Sequence, residues 1–168
     1  MLITAKYKVR FFALLGLIGV TLLVNSCKKD NGDTISYFLT NGTWTLASVT
    51  VSHYVGDTQG KTDTLNLSCG TTQTFTFNGG NCNYTNYHCI TQNTSGTWSI
   101  DQDNLILHCN MSAQDTSKAT LVTVKAFQNA LIDNLGQYSL VLKTGDIQSY
   151  YKATTVRAIT RYGFVHSR

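Results

Sequence analysis

Two hydrophobic patterns divide the chain. Residues 11–24, "FFALLGLIGVTLLV", form an unbroken apolar run of 14 residues, while from Gly42 onward apolar positions recur every second residue. The second pattern is that of half-buried β-strands. "TWTLASVTVSHYV" begins with Trp44 and Leu46 on one face and continues with Val49 and Val51 on the opposite parity. A parity switch inside one strand predicts a bulge near Ala47–Ser48. "TLNLS", "QTFTF", "TWSI" and "LILHC" alternate in the same way, and "CNYTNYHC", "ATLVTVKAF", "YSLVLK" and "SYYKATTV" read as further strands. "GDTQGK" (56–61) and "DQDN" are expected turns, "NGGN" (78–81) a hairpin and "NMSAQDTSK" a longer polar loop. A short helix is expected within "FQNALIDNLG", closed by Gly136, and one helical turn within "TISYFLT" (34–40). Eight or nine strands joined by tight turns predict an all-β, antiparallel up-and-down meander. About eight strands is the size at which a closed barrel fills with side chains or holds one small ligand. Strands do not alternate with helices, which excludes α/β folds.

The 14-residue apolar run falls short of the ~20 residues a spanning helix needs. With the basic "AKYKVR" before it, the run reads as a signal-peptide core. "LVNSC" then places an aliphatic residue three positions before Cys27 and the small Ser26 directly before it. This step resembles the lipobox of bacterial lipoproteins, in which the chain is cut before an acylated cysteine. The resemblance implies removal of residues 1–26, lipidation at Cys27 and a polar tether over residues 27–36. The "SCKKD" opening is similar to those of outer-membrane lipoproteins of Gram-negative bacteria. That implies a cell-envelope protein held on the outer membrane by lipid, with the membrane face left open.

Composition agrees with exported β structure. The nine acidic residues are all Asp, and the chain has no Glu and no Pro. The formal charge of +4 drops to near neutrality once Lys6, Lys8 and Arg10 leave with the signal, which argues against nucleic acid as a partner. The remaining bias lies at the C-terminus, with Lys152, Arg157, Arg161 and Arg168. Residues 158–168 read as a basic tail with few apolar anchors, expected to be disordered.

With Cys27 assigned to lipid, Cys69, Cys82, Cys89 and Cys109 remain. An even number in an exported domain favours two disulfides, with three connectivities open. Cys82 and Cys89 differ in strand parity, which disfavours pairing them with each other. "YHC" (87–89) and "LHC" (107–109) repeat a His-Cys pair, but adjacent strand residues face opposite sides and cannot both reach one ion. No metal and no cofactor is expected. The chain has no Gly-x-Ser-x-Gly, no His-Glu-x-x-His and no Glu to serve in an acid–base pair. An enzyme is not expected.

"LTNGTWTLASV" resembles the Gly-x-Trp opening strand of lipocalin-like domains. The layout "SCGTTQTFTFNGG…NYHC…SGTWSIDQDNLILH" is similar to small lipocalin-like lipoprotein domains of Gram-negative bacteria. The likeness covers roughly residues 37–152. It departs from that pattern in "CGTT", where an acidic residue often follows the first Cys, and in the extra Cys82 and Cys109. The resemblance implies an eight-stranded barrel over residues 37–157 and a Cys69–Cys89 bridge, leaving Cys82–Cys109 as the second. Trp44, Phe75, Phe77, Trp98, Leu105 and Leu107 are candidates to fill the interior or line a ligand cavity. Core is the favoured role for Trp44, Phe75, Phe77 and Trp98. Two functions follow as expectations. One is a lipid-anchored module binding a small apolar ligand or lipid. The other is a structural or accessory protein of an envelope complex, with a filled barrel and a protein partner.

Overall fold

The computed structural model describes residues 31–65, 69–116 and 120–167. Cys27 and the expected signal segment lie outside the described residues. A helix, α1 (Asn31–Thr40), precedes ten strands: β1 (Thr43–Val55), β2 (Thr58–Leu65), β3 (Thr74–Asn78), β4 (Asn81–Thr85), β5 (Asn93–Asp101), β6 (Ile106–Asp115), β7 (Val122–Ala126), β8 (Ala130–Leu135), β9 (Ser139–Gly145) and β10 (Val156–Ser167). Eight of them close a ring in the order β1–β3–β4–β5–β6–β8–β9–β10, with β10 returning to β1. Strands β2 and β7 are extra, each hydrogen-bonded to one barrel strand. The expected antiparallel barrel is therefore the observed one.

The two longest strands explain the extra pair. β1 runs beside β10 from Thr43↔Ser167 to Val55↔Val156. Its other edge serves β3 at Thr43–Thr45 and then β2 from Val49 onward. The register slips between Leu46 and Ser48, at this handover, where the parity switch predicts a bulge. One inserted residue turns Trp44 and Val49 toward the same interior. On the opposite wall, β6 pairs with β8 at Ile106–Leu107 and with β7 at Met111–Asp115. β7 and β8 are one course broken at residues 127–129, where Phe127 takes φ +53° and its carbonyl accepts from the Cys109 N–H at 3.1 Å.

The barrel has a base and a mouth. α1 covers the base. Ile35 and Leu39, four residues apart, present one helix face to the core. The Trp44 indole N–H donates to the Leu39 carbonyl at 3.0 Å, so a fully buried indole is satisfied by the end of the helix. The helix ends at Thr40, and the chain turns into β1 at Gly42, whose φ of +122° suits glycine. Above the base, Phe75 stacks with Phe77, Tyr84 and Phe127 at ring-centre distances of 4.3, 5.2 and 5.1 Å, with Phe164 at 6.1 Å. Leu107, Leu140 and Leu142 fill the remaining space. Side chains occupy the middle of the barrel, and each buried aromatic or Leu contributes about 1.5–3 kcal/mol of transfer free energy.

Several segments differ from the sequence reading. Residues 158–168 are not a disordered tail: residues up to Ser167 belong to β10, which places Tyr162 and Phe164 in the core and closes the ring. The hydrogen bonds offered by β1 and β9 hold this strand despite its basic residues. "NMSAQD" is the second half of β6 rather than a loop, since Met111, Ala113 and Asp115 continue the inward alternation of Leu107 and Cys109. Within "FQNALIDNLG" the chain is strand β8, not helix. Most of "GDTQGK" belongs to β2, and "SYYKATTV" is mainly irregular, joining β10 only at Val156.

Candidate functional site

The polar side chains of the interior gather at the mouth. After β4 the chain does not continue as a strand to Cys89. It turns through a 3₁₀ turn, Tyr87–Cys89, with positive φ at Asn86 (57°), His88 (47°) and Cys89 (68°). Non-glycine residues hold such angles only where their surroundings over-determine them. Here the restraints are visible. Cys89 is bridged to Cys69. The His88 N–H donates to Gln73 Oε1 at 3.2 Å, and the Tyr84 hydroxyl donates to the same oxygen at 3.2 Å. His88 Nδ1 lies 3.2 Å from Asp115 Oδ1 and His88 Nε2 lies 3.3 Å from the Tyr162 hydroxyl. Its imidazole stacks on Tyr87 at 4.0 Å. Gln92 exchanges two 2.8 Å hydrogen bonds with the Gln114 backbone and reaches the Tyr87 carbonyl at 3.3 Å. The turn is thus tied to β6, β10 and the loop before β3, and forms a cap across the mouth.

Three phenols sit beneath the cap. Burial pushes the hydroxyls of Tyr84, Tyr87 and Tyr162 above the ordinary tyrosine value. Tyr87 and Tyr162 hydrogen-bond to each other, and Tyr162 also meets Thr144. All three remain neutral donors and acceptors across the physiological range.

A cleft opens on either side of the cap. The larger, about 510 Å³, lies where β2 parts from β3 at the β1 bulge. Leu46, Ala47, Val49 and Leu65 give it an aliphatic side, while threonines 45, 64, 71 and 72 with Ser48 supply hydroxyls. Among the described residues, no charged or aromatic side chain lines it. The smaller, about 270 Å³, lies where β7 and β9 are not hydrogen-bonded to each other, with Tyr87, Phe127, Thr144 and Tyr162 inside and Lys125 at the rim.

A family model described as a lipocalin-like domain matches residues 40–128, from the end of α1 through β7. The chain belongs to the lipocalin-like domain family. None of the curated proteins matches it. The centre of this lipocalin-like barrel is filled with side chains, and the 510 Å³ cleft opens beside the mouth.

The individual site expectations separate accordingly. Trp44, Phe75, Phe77 and Leu107 are core, each at most 3% exposed. Trp98 is half-buried, packs against Phe77 at 5.4 Å and leaves its indole N–H without a partner. Leu105 is not interior: it lies in the β5–β6 turn with φ +53° and is 40% exposed, because the left-handed turn swings it out of the alternation that Leu107 keeps. The Cys69–Cys89 bridge is present.

The Cys82–Cys109 bridge is not formed, and both residues are buried thiols. Strand β5 runs between them, with Gly96 opposite Cys82 and Trp98 opposite Cys109. Two strand spacings, about 9.5 Å in all, together with a two-residue offset along β5, keep their Cα atoms beyond the ~7 Å a disulfide tolerates. The nearby Cys82 thiol, with burial behind it, pushes Cys109 up, and the Cys82 thiol approaches the Thr97 carbonyl at 3.7 Å. The repeated His-Cys pairs diverge: His108 meets Asn129 at 2.8 Å while Cys109 points inward. Among the described residues no three His, Cys or Asp side chains come together as a metal-binding set.

Gln73, Asp115 and Tyr162 escaped the sequence reading, while Tyr87 and His88 were read as strand residues rather than as a cap. Asp115 and Tyr162 carried a usable signal, the period-two series ending Met111–Ala113–Asp115 and the pair Tyr162–Phe164. Gln73 and His88 carried none, since an irregular backbone positions them.

Proposed function

We propose that this is an envelope lipoprotein, anchored to the outer membrane through Cys27, whose lipocalin-like domain binds a small neutral amphipathic ligand at the barrel mouth. The observation that carries the reading is the 510 Å³ cleft with one aliphatic and one hydroxyl-rich side. Its size lies within the range of small-molecule sites. An uncharged lining would hold an aliphatic chain beside a hydroxylated or amide head and would leave a charged head uncompensated. Family membership supports a binding role, and the filled centre favours the mouth over the interior as the site.

The test uses protein carrying Cys27→Ser, which removes the acylation site. Native mass spectrometry should reveal a co-purified neutral amphiphile, and a fluorescent fatty alcohol should bind and be displaced by it. Leu65→Asp, at a 40% exposed position, should weaken binding at least tenfold while leaving thermal stability unchanged. Absence of binding, or binding indifferent to Leu65→Asp, would overturn the reading.

A second reading has its own observation. Val55 and Val156 stand opposite each other at the far tip of β1 and β10, 53% and 75% exposed, with Tyr150 at 93%. Such a patch suits an envelope protein partner. Capture of a partner that is lost in Val156→Asp, with no ligand found, would favour this accessory role.

A further inference from the structure

We infer that the base of the barrel is a membrane-docking surface, and that it seats on the lipid–water interface of the bilayer holding the acylated Cys27. The inference rests on the anchor proposed above. Three elements of the base expose large side chains: Tyr37 on α1 at 61%, Tyr138 in the β8–β9 turn at 61% and Leu105 in the β5–β6 turn at 40%. Backbone hydrogen bonds place these turns. The Tyr138 carbonyl accepts from His166 N–H at 3.1 Å, beside the start of β1, and the Leu105 carbonyl accepts from Ile132 N–H at 2.8 Å. Tyrosine rings with an apolar body and a polar tip are the side chains that settle at headgroup depth, and an outward Leu gains by leaving water there.

Chain length chooses this end over the other. Three residues lie between Cys27 and Asn31, so four Cα–Cα steps limit the reach from the Cys27 Cα to the start of α1 to ~13 Å. β1 spans 13 residues. Its far tip lies ~40 Å along the strand from the base, or ~30 Å along the barrel axis after tilt. The tether reaches the base and does not span to the tip, where Val55, Val156 and Tyr150 form the competing apolar patch.

Charge does not drive the contact. Asp101 and Asp103 share the turn with Leu105, and the Asp101 carboxylate is folded back onto that turn, accepting from Asn104 Nδ2 at 2.8 Å and from the Asp103 N–H at 3.1 Å. Nearby, Lys143 is paired with Asp133 at 2.6 Å. Docking is by insertion, and the mouth with its clefts faces away from the membrane.

The experiment uses the full acylated protein in phosphatidylcholine vesicles whose acyl chains carry bromine, a short-range quencher of indole. Tyr37→Trp, Tyr138→Trp and Tyr150→Trp are compared with the parent, whose Trp44 and Trp98 set the background. The added signal at positions 37 and 138 should be blue-shifted and quenched roughly twofold, that at 150 unquenched, and high salt should change neither. Quenching at 150 alone, or at none of the three, overturns the docking. Mass spectrometry of the same sample separates the two ideas: an acylated chain without quenching leaves the anchor standing, and a chain without acyl groups removes both.

Discussion

At the residue scale, the cysteines show how strand spacing decides which thiols can join. Gly96 lets β5 approach β6 closely, since a Cβ there would run into the Asn110 carbonyl. Cys82 and Cys109 stay buried thiols on the two sides of β5, whereas Cys69 and Cys89 are joined directly. Unreduced peptide mapping should therefore return one linked fragment, 69 with 89. Cys82 and Cys109 should resist alkylation in the native protein and react after denaturation. A fragment linking 82 to 109 would contradict the strand spacing. Reduction of the native bridge should cost about 2–4 kcal/mol in chemical denaturation, since its loop constrains the unfolded chain. Inward-facing residues on regular strands, such as Trp44, Phe75, Phe77 and Leu107, were legible from alternation alone. Leu105 and His88 were not, because a positive φ redirects a side chain in a way that no period reveals.

At the element scale, β10 has the largest consequence. Its neighbours on both sides are barrel strands, and it carries Tyr162 and Phe164 into the core. Truncation after Arg157 should abolish the near-ultraviolet circular dichroism of the folded protein. Removing two buried aromatic residues costs ~3–5 kcal/mol each, which together rivals the ~5–15 kcal/mol total stability of a domain. Phe164→Ala alone should lower stability by about 3–5 kcal/mol while still folding. An unchanged melting temperature after truncation would mean that β1 and β9 close the barrel without β10. The strand was hard to see in the sequence because Arg157 and Arg161 mask its alternation. The β1 bulge was easy to see because its parity switch lies within one uninterrupted apolar series.

At the scale of the whole molecule, the filled interior couples the fold to pH. Tyr84, Tyr87 and Tyr162 hold their protons more tightly when folded than when exposed, chiefly because burial disfavours the phenolate. The folded state therefore binds more protons than the unfolded state above the ordinary tyrosine value of 10. The stability these phenols contribute is fully present below pH ~10 and lost as pH rises beyond it. The buried set should titrate only together with loss of tertiary circular dichroism. Titration of the buried set with the fold intact would show that the mouth admits hydroxide and that the cap is open in solution.

Alternation, turn residues and the Gly-x-Trp strand determined from sequence alone that this chain is an antiparallel barrel of the lipocalin-like kind, because a two-residue period leaves one buried face to be closed upon itself. They also placed Trp44, Phe75 and Phe77 inside it, though not Phe127, Tyr162 or Phe164. Only the tertiary structure decided where accessible space remains. The interior volume depends on how side chains from opposite walls meet, and the clefts depend on where β2 and β7 leave the ring. The cap at Tyr87–Cys89 depends on long-range partners, with His88 held by Asp115, Tyr162 and Gln73 from three separate segments. Such contacts join residues up to 74 positions apart, and a local pattern carries no record of them.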